Sequence, residues 1–123
     1  MNDKNILLAM KASIFRDDLI FIMGTQGFHI DTASNGSDAF EKIKRYTVDG
    51  VITELDLPQW DALELVLSIR DLKMIMPIIV ISFDNQAMKA EILQAGASAF
   101  LHHPKDASVV IDLLIREKWS HVI

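Results

Sequence analysis

Two hydrophobic rhythms alternate along the chain. Short apolar runs of strand length are each followed by a stretch in which apolar residues recur at three- and four-residue spacing. A continuous apolar run fits a strand buried on both faces, whereas the 3.6-residue period fits a helix with one buried side. Residues 5–10 (Asn-Ile-Leu-Leu-Ala-Met) are the first such run. Residues 14–26 then take helical spacing. Ile14, Phe15, Leu19, Ile22 and Met23 are predicted on one face, with Arg16, Asp17 and Asp18 outside it. Gly24 and Gly27 bracket the exit of that helix. Residues 28–33 alternate apolar and polar side chains, as a strand nearer a sheet edge does. Asn35-Gly36 signals a turn, and residues 37–46 form an amphipathic helix with Ala39, Phe40 and Ile43 inward.

The third strand occupies the front of residues 51–58 and runs into an acidic loop carrying Glu54 and Asp56, closed by Pro58. Asp61, three residues ahead of Glu64, forms a capping pair for a helix over 62–72 with Leu63, Val66, Leu67 and Ile69 buried. Pro77 opens the fourth strand, residues 78–82, the most β-branched segment of the chain. Asp84 or Asn85 is predicted to cap a helix running to Gln94, which Ala95-Gly96 stops. Residues 98–102 form the fifth strand and His103-Pro104 breaks it. A last helix over 107–118 turns Val109, Val110, Leu113 and Leu114 inward. Five strands alternating with five helices imply right-handed parallel crossovers with helices on both sheet faces. The predicted architecture is a flavodoxin-like (βα)5 α/β fold, a single domain over 1–123 with strand order 2-1-3-4-5. Its crevice lies at the carboxyl ends of strands 1 and 3.

Composition narrows the function. The chain has 123 residues, half of them hydrophobic, with a net charge of −5. That supports one domain with a real core and argues against the basic surface that grips nucleic acid, so no direct nucleic acid contact is expected. There is no cysteine, which removes disulfide and thiolate–metal chemistry. No apolar run reaches membrane-spanning length and no secretory pattern opens the chain, so a cytoplasmic domain without membrane contact is expected. The loop after the first strand, residues 10–14, lacks the glycine- or hydroxyl-rich chemistry that cradles phosphate. That ranks a flavodoxin-like nucleotide or flavin binder as the weakest reading.

Parallel strands gather distant residues at one edge: Met10 and Lys11, Glu54 and Asp56, Ser82 and Phe83, His102 and His103. Neighbours on a strand face opposite sides, so His102 and His103 are not expected to share a metal, and His29 and His121 lie far off in the chain. Trp60 directly follows the acidic loop, either packing over the pocket mouth or offering an exposed contact. Met74 and Met76 read as core fillers, and Trp119 as packing or a contact to a following segment.

The order and spacing of these segments resemble the receiver domain of two-component response regulators, the CheY-like family. The likeness covers essentially the whole chain. Asp49-Gly50-Val51-Ile52-Thr53-Glu54, with Pro58 and Asp61-Ala62-Leu63-Glu64-Leu65 behind it, resembles the phosphorylation loop and following helix. Pro77-Ile78-Ile79-Val80-Ile81-Ser82 resembles the strand bearing the hydroxyl switch. Gly96-Ala97-Ser98-Ala99-Phe100-Leu101 with His103-Pro104 resembles the fifth strand and its Lys-Pro end.

The resemblance implies phosphoryl transfer to an aspartate, with a divalent cation held by an acidic pair and a lysine offsetting the developing charge. Here Met10 and Lys11 replace the acidic pair, Glu54 stands at the acceptor position and His103 at the lysine position. Ser82, the aromatic switch Phe100 and Pro104 remain. A thioether and an ammonium offer magnesium no oxygen ligand.

The expectation is therefore an atypical receiver, or pseudo-receiver, that is not an enzyme, takes no cofactor or metal and is not phosphorylated. Its degenerate pocket comprises Met10, Lys11, Glu54, Asp56, Ser82 and His103; either a Lys11–Glu54 ion pair locks it, or the pocket has drifted and both side chains point to solvent. The partner implied is a protein or effector domain, or a second copy, on the helix 4–strand 5–helix 5 face. That face covers roughly residues 86–118, with Lys89, Glu91, Gln94, Lys105, Asp112 and Arg116 as polar members. The module would then be the amino-terminal part of a longer regulator. The competing reading is a working phosphorelay receiver that accepts on Glu54 or Asp56.

Overall fold

The computed structural model describes residues 3–116. The predicted end of the last helix, Trp119 and His121 lie outside them. Strands β1 (Asn5–Ala9), β2 (His29–Ala33), β3 (Gly50–Glu54), β4 (Ile78–Ser82) and β5 (Ala99–His102) alternate with helices α1 (Ile14–Thr25), α2 (Gly36–Arg45), α3 (Ala62–Asp71), α4 (Lys89–Ala95) and α5 (Ala107–Arg116). All ladders are parallel and the order is β2-β1-β3-β4-β5, as the alternation of patterns predicts. The register pairs Leu7 with Val51, and Val51 with Ile78, so the central strands end together.

Each sheet face has its own core. Leu7, Val51, Ile78, Val80 and Phe100 pack with Leu65, Val66 and Ile69 of α3. Ile6, Leu8, Ile52, Ile79 and Ile81 pack with Leu19 and Met23 of α1 and Val110, Ile111 and Leu114 of α5. Burial on both faces is why β1 and β4 read as apolar runs and β3 buries even Thr53, while β2, at the edge, alternates.

Three helix starts are fixed by side-chain caps, with Ser13, Asn35 and Asp61 each accepting the N–H three residues on. Asn35-Gly36, read as a turn, is thus the cap and first residue of α2.

Other expectations are corrected. Ile14 is 81% exposed, because it lies half a turn from Met23 around α1 and almost as far from Leu19. The many apolar residues of that helix blur its period. Leu67 and Val109 are likewise exposed, and Leu65 and Ile111 take the inward positions beside them. Helix α4 is shorter than predicted and starts at Lys89, behind Met88, which makes no side-chain cap. Asn85 does not cap it: its side chain accepts the Ala87 N–H and its carbonyl takes the Ser82 hydroxyl, which holds residues 84–88 as loop.

Candidate functional site

The carboxyl ends of β1, β3 and β4 enclose a cleft of about 140 Å3, lined by Lys11, Glu54, Asp56, Ser82, Phe83 and Asp84 among others. Its firmest contact joins two strands. Glu54, the last residue of β3, reaches across to β1, and its Oε1 accepts the Lys11 backbone N–H at 2.6 Å. The Lys11 ammonium lies 3.9 Å from the other carboxylate oxygen, with side chains 56% and 12% exposed respectively. The predicted Lys11–Glu54 pair is therefore present in geometry. At that distance and exposure the ammonium contributes less than the amide.

The remaining predicted residues divide. Asp56 is at the cleft and its side chain is exposed. Ser82 is buried, and its hydroxyl donates to the Asn85 carbonyl at 2.7 Å, so it serves the β4–α4 loop. Phe100 lies inward in the α3 core. Met10 directly follows β1, but its side chain is fully buried with Leu8, Leu19 and Met23, away from the cleft. His103 does not line the cleft either. It is exposed, its ring 6.3 Å from that of Phe83.

The expected separation of His102 and His103 is overturned. β5 ends at His102, and His103 adopts a left-handed φ of 47° that breaks strand alternation, so the two rings lie 4.9 Å apart. Trp60 turns away from the cleft onto Phe40, with centroids 5.2 Å apart.

Two features escaped the sequence. Arg16 sends Nη1 towards the Met10 carbonyl at 3.4 Å, placing a second cation beside the end of β1. The loop after the acidic residues is fastened to α2: Pro58 and Gln59 carbonyls accept the Gly36 and Ser37 N–H groups. A Cβ at Gly36 would lie 2.0 Å from the Trp60 carbonyl oxygen, so glycine is required there. No spacing rule signals either contact.

The donor set does not suit a hard divalent cation. The β1 side offers a buried thioether, an ammonium and a guanidinium, and Glu54 already holds an amide. Among the described residues no three His, Cys, Asp or Glu side chains are grouped to hold a metal.

A doubly wound five-stranded sheet with an acidic cleft at its β1/β3 switch point defines the class, and sequence comparison gives the family. The chain belongs to the response regulator receiver domain family, whose model matches residues 6–115. It is similar to the chemotaxis protein CheY of Thermotoga maritima, with 30% identity over 90% of this chain and 94% of that protein. It is also similar to the transcriptional regulatory protein FixJ of Rhizobium meliloti, with 28% identity over 94% of this chain but only 57% of that longer protein. Among solved structures, the receiver domain of sensor histidine kinase PA1611 from Pseudomonas aeruginosa, which has magnesium in its active-site cleft, superposes with a TM-score of 0.82. Its identity is 21%, and 94% of this chain and 97% of that one are covered. Receiver domains are generally signalling modules of two-component systems that act on partner kinases or effector domains. No helix among the described residues is long and apolar enough to cross a membrane.

Proposed function

We propose that this receiver domain signals by protein contact alone, as a pseudo-receiver whose cleft takes neither a phosphoryl group nor a metal ion. One observation carries the reading. The carboxylate at the acceptor position is occupied by the Lys11 N–H at 2.6 Å and bridges two strand ends that a metal would otherwise join. Attack on a phosphodonor would fall to Oε2 alone and needs the transferring charge offset, for which the β1 side offers no acidic pair to hold a cation. The commitment of the Ser82 hydroxyl to Asn85 supports the same reading, since a hydroxyl that lines the cleft is engaged by the loop. Incubation with acetyl phosphate and magnesium, read by intact mass, tests it. The mass is expected to stay unchanged. A gain of one phosphoryl group on Glu54 or Asp56 would establish the phosphorelay reading instead.

The output face proposed is α4–β5–α5. Exposed Leu93 and Val109 and half-buried Leu101 and Leu113 lie there, and Leu101, Val109, Asp112, Leu113 and Arg116 line a groove of about 230 Å3. If a second copy is the partner, sedimentation shows a concentration-dependent dimer that Val109→Asp abolishes. A monomer at every concentration leaves an effector domain as the occupant.

A further inference from the structure

The opposite end of the sheet has no role in this scheme, yet it is the more apolar. Strands β1 and β3 begin there and helices α2 and α3 end there. Tyr46, just past α2, and Ile75, just before β4, are each 61% exposed. With Ile43, Val48, Met74 and Met76 they line a groove of about 400 Å3. A second hollow of about 180 Å3 shares Tyr46, Thr47 and Val48 with it. The two lie on either side of Tyr46–Val48, and the larger is called the trough below. Its size falls within the range of ligand pockets, about 300–1,000 Å3.

Charge is concentrated around this trough. In a chain of net charge −5, Lys4 and Lys73 line the groove, Lys42 lines the hollow, and Arg45, next to Tyr46, lies on the neighbouring α2 surface with Asp38 and Glu41. Lys42 is bound to Asp31 and the Thr32 carbonyl, and Lys44 to Glu41. Arg45 and Lys73 have no ion-pair partner among the described residues. Asp49, a carboxylate lining the groove, accepts the Asn5 N–H at 2.8 Å. Cations at helix C-termini complement the helix dipole, which accounts for part of the cluster. The dipole does not account for an exposed tyrosine and isoleucine between them.

We propose that the trough docks a peptide segment of a partner protein in which a large apolar side chain is flanked by carboxylates. The apolar floor takes the anchor, and Arg45 and Lys73 meet the acids. A lipid surface fits less well, because the apolar residues line a hollow rather than protrude and the net charge of the chain opposes anionic lipid.

The test titrates the 15N-labelled 123-residue chain with a synthetic peptide in which Leu and Phe are flanked by Asp and Glu. Two control peptides replace the acids by Lys, or Leu and Phe by Ala. Saturable amide shifts are expected at residues 46–49 and 73–76, with neither control binding. The Arg45→Glu/Lys73→Glu variant should bind about tenfold more weakly, the summed effect of two rim charges. Ile75→Ser should also weaken binding while leaving the dispersed spectrum of a folded chain. Absence of saturable shifts at those amides, equal binding of the basic peptide, or binding of phosphatidylglycerol vesicles in place of the peptide would each overturn the proposal. All of these outcomes are independent of whether Glu54 accepts a phosphoryl group.

Discussion

At the scale of single residues, Glu54 decides what the cleft can do. Its extra methylene, relative to aspartate, carries the carboxylate onto the Lys11 amide. A hydrogen bond to a buried charge contributes about 1.5–3 kcal/mol, whereas an ion pair at a half-exposed ammonium contributes under about 1 kcal/mol. Glu54→Ala should therefore lower stability by about 2 kcal/mol. Glu54→Gln, which keeps an accepting oxygen, should cost less, and Lys11→Ala least of all. Urea unfolding midpoints give the ranking. If Lys11→Ala costs as much as Glu54→Ala, the ammonium and not the amide holds the acid. Nearby, Gln59 and Trp60 carry left-handed φ values of 47° and 80° without being glycine. Such conformations cost of order 1 kcal/mol or more and persist only when over-determined. Here the two carbonyl contacts to α2 and the Phe40 ring supply that constraint.

At the scale of elements, the start of α5 carries an aspartate held by the first turn of that helix. The carboxylate of Asp106 accepts from the Ser108 hydroxyl and N–H. The hydroxyl bond, before the backbone bonds, holds its pKa below the usual aspartate value. A depressed folded pKa means stabilisation that is present above the unfolded value and lost as pH falls through the folded one. Carboxyl NMR titration should find Asp106 titrating below the usual aspartate value, and Ser108→Ala should move it upward. An unchanged midpoint in that variant would show that the hydroxyl is not the cause.

Strand identity and order were legible because burial on both faces writes itself as unbroken apolar runs, and 78–82 could hardly be anything else. Helix faces were less legible. α1 is apolar nearly all round, so Ile14 was misplaced, and α4 lacks a capping side chain, so its start was set too early. In the cleft, Glu54, Lys11 and Asp56 follow from strand-end position alone. Met10 continues the alternation of Ile6 and Leu8 into the α1/α5 core, and His103 is turned by its left-handed φ, so neither lines the cleft.

At the scale of the whole molecule, sheet order and chain order nearly coincide. β1, β2 and β3 form one block of the sheet and β4 and β5 the other, so within the sheet a single ladder, β3 with β4, joins the two halves of the sequence, and α1 with α5 and α3 with α4 pack across the same seam. Arg70 spans the same seam from α3: its Nε donates to the Gly96 carbonyl and its Nη1 to that of Met74. A planar fork fills both positions at once, which an ammonium cannot do. The two halves of the sequence thus meet along one continuous seam of ladder and helix contacts. Residues 1–73 and 74–123, made as separate polypeptides, should recombine into the native sheet, with Arg70 as the clasp that selects the correct mate.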